Sequence, residues 1–131
     1  MNHELRKKYL GVDWGEARIG LALADGEIKI ATPFKTVGSV LEVAQVVEDE
    51  EIDVIVVGEP MSIKNYEFEI TNEKYNKFIA DLKSQVKIPI ELADERLSSK
   101  AGDALIGNKK TKASRDEIAA MLILQSYLDK I

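Results

Sequence analysis

The stretch Tyr9 to Asp25, YLGVDWGEARIGLALAD, constrains the fold more than any other part of the chain. Apolar Tyr9, Leu10 and Val12 lead into one acid, Asp13, and then Gly15. Gly20, Leu21, Ala22, Leu23 and Ala24 lead away from it. The pattern reads as two strands joined by a tight polar turn. A carboxylate at the end of a buried strand must be hydrogen-bonded, paired or bound to a metal, because an isolated charge there is costly. Asp13 is therefore either a turn-former ahead of Gly15 or a ligand.

The rest of the chain supplies what this hairpin packs against. Asp25-Gly26 is a two-residue hairpin signal that calls for positive φ, and Glu27 to Ala31 alternates as a third strand before Thr32-Pro33 bends the chain. Ser39 starts a first helix with Val40, Leu41, Val43, Ala44, Val46 and Val47 as its apolar stripe. The acidic run Glu48 to Glu51 ends it. Ile52 to Val57, IDVIVV, barely alternates, as expected of a central parallel strand covered on both faces. Thr71 to Val86 carries Tyr75, Phe78, Ile79 and Leu82 at helical spacing. Ile90 to Ala93 is a fifth strand, followed at once by Asp94-Glu95-Arg96. Ser98-Ser99 caps a short helix ending at Gly107, Asn108 to Ala113 is a basic loop, and Ser114 to Glu117 has capping-box spacing ahead of a last helix to about Leu128. Strands and helices in this order predict one α/β domain over residues 1–131, with a mixed five-stranded sheet flanked by helices.

Composition narrows the function. The 131 residues include no cysteine and one histidine, His3. Disulfide frameworks and thiolate metal sites are excluded, and histidine catalysis is disfavoured. No apolar run is long enough to span a membrane and the N-terminus lacks a signal-peptide core, so a cytoplasmic protein with no membrane partner is expected. The net charge is −5, but Arg96 to Arg115 alone is +5, leaving −10 on the remainder. Such a segment is either a solvated loop or a phosphate-binding edge.

Acids fall at element ends: Asp13 after the first strand, Asp94 and Glu95 after the last, Asp116 in the first turn of the last helix. Each has an ordinary explanation. The helix dipole favours Asp116, and Glu95 with Arg96 suits a surface ion pair. Ligands in open α/β sheets gather beyond strand ends, where converging carboxylates would suit Mg2+ or Mn2+. With the basic loop just ahead of Asp116, a metal nuclease site competes with these explanations.

The chain also resembles the YqgF/RuvX family, the Holliday-junction-resolvase-like and pre-16S rRNA nucleases of the RNase H-like superfamily. GVDWGEARIGLALAD is similar to the family's opening strand pair, IATPF to its third strand and IVVGEP to the end of its fourth. ELADERLSSKAGDAL resembles its D-E-R-L-S-T motif and KASRDEIAAMLILQSYL its last helix. The resemblance implies an RNase H-like fold with three antiparallel strands followed by two parallel ones. It also implies divalent-metal phosphodiester hydrolysis and a role in maturing the 5′ end of ribosomal RNA. On its motif positions the catalytic and metal-binding acids are Asp13, Glu95 and Asp116, with Asp94 as neighbour or substitute. Arg18, Arg96, Ser98 and Ser99 contact substrate or hold the acids. Lys109, Lys110 and Lys112 of the basic loop are assigned to phosphate contacts from their charge.

The sequence departs from the family pattern in places. MSIKNYEFEI follows Gly58-Glu59-Pro60 where the family has an asparagine- and glycine-rich loop. Glu59 stands where an apolar residue is usual and is a lower-ranked ligand candidate, and Arg115 and Glu117 flank Asp116 in place of an apolar residue and a serine. The expected partner is structured RNA or branched DNA, bound by a monomer or weak homodimer. Two other readings stay open: a nucleic-acid-binding domain without hydrolysis, and an ATP-binding fragment of the actin/sugar-kinase class, whose opening strand GVDWG also resembles.

Overall fold

The computed structural model describes residues 7–59, 66–94 and 115–131. Its elements are β1 (Lys8–Trp14), β2 (Ile19–Asp25), β3 (Ile30–Val37), α1 (Val40–Asp49), β4 (Val54–Glu59), α2 (Tyr66–Gln85), β5 (Ile90–Asp94) and α3 (Arg115–Leu128). The five strands form one sheet in the order β3-β2-β1-β4-β5. The first three pair antiparallel, and β4 joins β1 and β5 in parallel. This is the mixed sheet the sequence predicts. The short helix and basic loop expected between Ser98 and Ala113 lie outside the described residues.

Strand alternation sorts the side chains onto two unlike faces. Leu10 and Val12 of β1, Ile19 and Leu21 of β2, and Ile55 and Val57 of β4 point to one side. They form the larger core with Val43 and Val46 of α1 and Tyr75, Phe78 and Leu82 of α2. Tyr9, Ala22, Ala24, Val54 and Val56 point to the other side, where Ala120, Ile123, Leu124 and Leu128 of α3 cover them. Each fully buried leucine or valine contributes on the order of 1.5–3 kcal/mol of burial.

The α3 side is close-packed where glycine lines it. A Cβ on Gly11 would lie 2.7 Å from the Ala120 carbonyl oxygen and 2.7 Å from Leu124 Cβ. The helix therefore rests on the backbone of β1 itself. Gln125 clasps its far end to the sheet: Oε1 accepts from the Ala31 N–H at 2.9 Å, and Nε2 donates to the Lys29 carbonyl at 3.0 Å.

The turn after β2 differs from the expected two-residue hairpin. Residues 26–29 form a longer loop, closed by the Lys29 N–H donating to the Asp25 carbonyl at 2.8 Å. The Asp25 carboxylate accepts from the Glu27 N–H at 2.7 Å, an Asx turn. The positive φ falls on Lys29, at 59°, and on no described glycine. β3 therefore begins at Ile30 and stays paired through Thr32-Pro33, and the irregularity in the strand falls just after them, at Phe34. Pro33 is tolerated because β3 is an edge strand, and a register shift opposite Leu21/Ala22 absorbs the extra residue.

Capping explains α1. The Ser39 hydroxyl accepts from the Glu42 N–H at 3.2 Å. At the other end the Lys8 ammonium donates to the Glu50 carbonyl at 2.9 Å, a cation placed where the acidic run Glu48 to Glu51 supplies none. α2 starts at Tyr66, earlier than the Thr71 its apolar spacing suggested. Among the described residues, no helix is long and apolar enough to cross a membrane.

Candidate active site at the ends of β1 and α3

Alternation along β1 puts Tyr9, Gly11 and Asp13 on the α3 side of the sheet. Asp13 is half-buried, less enclosed than its apolar lead-in suggests. Its neighbour Trp14 points the other way and packs edge-on against Tyr75, with ring centroids 5.9 Å apart at 73°, and against Phe78 at 6.2 Å. These contacts fix the end of the strand, and so the backbone that carries Asp13. The chain then turns tightly: a Cβ on Gly15 would approach the Arg18 carbonyl oxygen to 2.8 Å. Close approach is what calls for glycine here.

Asp116 arrives from the other end of the sequence. The Cα partner of Asp13 across the β1/β2 ladder is Gly20. A Cβ on Gly20 would lie 2.0 Å from the Asp116 carbonyl oxygen and 2.9 Å from its Cβ. The first turn of α3 thus sits directly on the residue paired with Asp13, and both acids border one glycine. The row continues into β3, where Thr36 is the Cα partner of Gly20. The Thr36 hydroxyl donates to Glu117 Oε2 at 2.9 Å, which tethers the start of α3. Arg18 closes the group, its Nε 3.3 Å from Asp116 Oδ2 with the two side chains 72% and 27% exposed.

Of the sequence-predicted residues, the structure brings together Asp13, Arg18 and Asp116. Asp94 ends β5 as the Cα partner of Glu59. β1, β4 and β5 run parallel, so β5 ends at the same edge of the sheet as β1. Glu59 is exposed, and alternation places it with Ile55 and Val57 on the α2 side, across the sheet from Asp13. Glu95, Arg96, Ser98, Ser99, Lys109, Lys110 and Lys112 lie outside the described residues.

The two acids in place are hard oxygen donors, the type that Mg2+ and Mn2+ take. Gly20 lets the backbones that carry them come close, so the donor type fits such an ion. Among the described residues, no third acidic or histidine side chain joins them closely enough to complete a metal site.

Sequence reasoning missed Gly20 and Thr36. A signal for Gly20 was present: a glycine inside a strand marks close approach of another backbone. Thr36 had none. The structure also shows an open cleft of about 380 Å3 on the α2 side, bordered by Trp14, Glu16, Ser39, Lys74 and Phe78. Lys74 pairs with Glu16 there at 3.3 Å. Far from the acids, burial pushes the Tyr127 phenol above its usual range, with Glu91 and Tyr9 adding to the shift.

Residues 7–130 match the family model described as RuvX, Holliday junction resolvase. A protein of Chloroflexus aurantiacus named "Putative pre-16S rRNA nuclease" is 34% identical, covering 92% of this chain and 85% of its own. A Chlamydia abortus protein of the same name is 33% identical, covering 98% and 94%. Among solved structures, RuvC of T. thermophilus in complex with a Holliday junction substrate superposes with a TM-score of 0.66 at 13% identity, over 95% of this chain and 94% of that one. The Fowlpox virus resolvase with Holliday junction DNA gives 0.56 at 15% identity, over 94% and 97%. The described sheet and helices thus have a resolvase-type, RNase H-like fold.

Proposed function

The chain belongs to the RuvX Holliday junction resolvase family, and on that premise we propose that it is a divalent-metal-dependent nuclease acting as a single domain on precursor 16S ribosomal RNA in the cytoplasm. The observation that carries this reading is the meeting of Asp13 and Asp116 over Gly20. Two acids from opposite ends of the sequence border one glycine at the end of the central strand, and a cation, Arg18, pairs with the second of them.

Asp13 and Asp116 would hold Mg2+ or Mn2+, with Glu95 completing the set; Asp94, the Cα partner of Glu59, shares its register position on the opposite face. Neighbouring strands lie roughly 4.8 Å apart, so β5 ends about 10 Å from β1 across β4. The bound ion would polarise the scissile phosphate and supply an activated water. The protein's own residues do the positioning. Trp14, locked by Tyr75 and Phe78, keeps the β1 end rigid. Thr36 fixes the first turn of α3 through Glu117. Arg18, Arg96, Ser98 and Ser99 contact substrate near the acids, and Lys109, Lys110 and Lys112 neutralise its backbone.

Precursor rRNA is preferred to a DNA junction because the relatives named for it are about one-third identical over most of the chain. The junction-bound resolvases share 13–15% identity. The test is cleavage of a 5′-extended 16S rRNA precursor and of a four-way DNA junction, with Mg2+ and with EDTA. Wild type should cleave the RNA only with Mg2+, and Asp13→Asn should slow it roughly a hundredfold or more without changing the thermal unfolding profile. Cleavage by Asp13→Asn at the wild-type rate would sink the assignment. Salt-dependent RNA binding with no cleavage under any metal would make the chain a binding module.

A further inference from the structure

We infer that Arg18 is a displaceable counter-ion of Asp116: it holds that carboxylate until a divalent cation takes it, and its guanidinium then passes to a substrate phosphate. This rests on the metal-site reading above and adds a coupling between cation and substrate that the reading does not require.

The contact has the marks of one made to be given up. It joins Nε to Oδ2 at a long 3.3 Å, and the Arg18 side chain is 72% exposed. Exposed pairs of this kind are weak and screened by salt, so a divalent ion competes easily for the carboxylate. The backbone beneath is fixed. The Arg18 carbonyl packs against Gly15, and the next residue, Ile19, is buried and paired with Trp14. Only the side chain is left to move, and it moves from a pinned base beside the acids. When a divalent ion neutralises Asp13 and Asp116, the guanidinium loses its ion-pair partner and its charge becomes available to a phosphate. Its planar fork matches two phosphate oxygens, which a lysine would not.

The same exchange makes cation and nucleic acid mutually reinforcing, since a coupling between two ligands is reciprocal. The test is titration calorimetry of Mn2+ into wild type, Arg18→Gln, Arg18→Lys, Asp13→Asn and Asp116→Asn. RNA affinity is measured alongside with Ca2+ and with EDTA. Arg18→Gln should bind Mn2+ about two- to fivefold more tightly at low salt, with the gap closing as KCl rises. Arg18→Lys should return to the wild-type Mn2+ affinity. The gain in RNA affinity that Ca2+ gives wild type should shrink in Arg18→Gln. Unchanged or weaker Mn2+ binding by Arg18→Gln, while the two aspartate variants lose it, overturns the exchange and leaves the metal site standing. Wild-type Mn2+ binding by both aspartate variants removes the metal site and the exchange with it.

Discussion

The two faces of the sheet are built on different principles. On the α1/α2 side, branched and aromatic side chains fill the space between sheet and helices. On the α3 side, Gly11 and Gly20 remove the filling at two points among larger residues, and there the helix backbone comes down onto the strands. Bulk stabilises the first face. The second gives up bulky packing and gains precision: Gly20 lets the Asp116 backbone rest beside the residue paired with Asp13. A nuclease site that must hold carboxylates within a fraction of an ångström benefits from backbone-on-backbone contact more than from adaptable side-chain packing.

If that contrast is right, substitutions on the two faces should fail differently. The largest effect is expected from Gly20→Ala. Its Cβ would overlap the Asp116 backbone, so α3 must shift, destabilising the chain by about 3 kcal/mol and abolishing metal-dependent cleavage. Chemical unfolding and a cleavage assay on the same sample report both. Leu82→Ala, at a fully buried position of the opposite face, should cost about 2–5 kcal/mol. The folded fraction should still cleave near the wild-type rate, and loss of activity well beyond loss of folded protein would break the comparison.

Gln125→Ala sharpens it from the far end of α3. It leaves the Ala31 N–H and the Lys29 carbonyl without their side-chain partner, for about 1–2 kcal/mol. Hydrogen exchange should show faster opening at the start of β3.

The smallest effect concerns pH. The Tyr127 phenol is raised in the folded chain by desolvation first, then by Glu91 and Tyr9. The unfolded phenol therefore ionises first as pH rises above about 10. The unfolded state then binds fewer protons than the folded one, and stability falls with rising pH. Urea melts at pH 8 and pH 10.5 should show a smaller loss for Tyr127→Phe than for wild type.

How much of this the sequence discloses follows the same division. The side-chain-filled face is legible because its signals are local: IDVIVV as a buried strand, Tyr75, Phe78 and Leu82 at helical spacing, Ser39 as a cap. Asp13 and Asp116 are legible as strand-end and helix-start acids, and the family motifs single them out. Their meeting over one glycine is only half legible: Gly20 inside a strand signals the close approach of some backbone, but nothing local says that the approaching backbone is that of α3. Glu59 shows the reverse: its position after IVVG suggests a ligand, and only the register of β4 against β1 reveals that it faces away. The turn at Asp25-Gly26 misleads because a competing local contact, the Asx turn, and one tertiary contact, the Gln125 clasp on Lys29, override a dipeptide preference.

The central claim is that Asp13 and Asp116 bind one metal-ion centre at the close-packed face. Crystals of the wild-type chain soaked in MnCl2 test it through anomalous scattering. A peak within about 2.2 Å of a carboxylate oxygen of each residue is the predicted result. A peak at Glu59 or in the cleft beside Trp14, with none between Asp13 and Asp116, would contradict it.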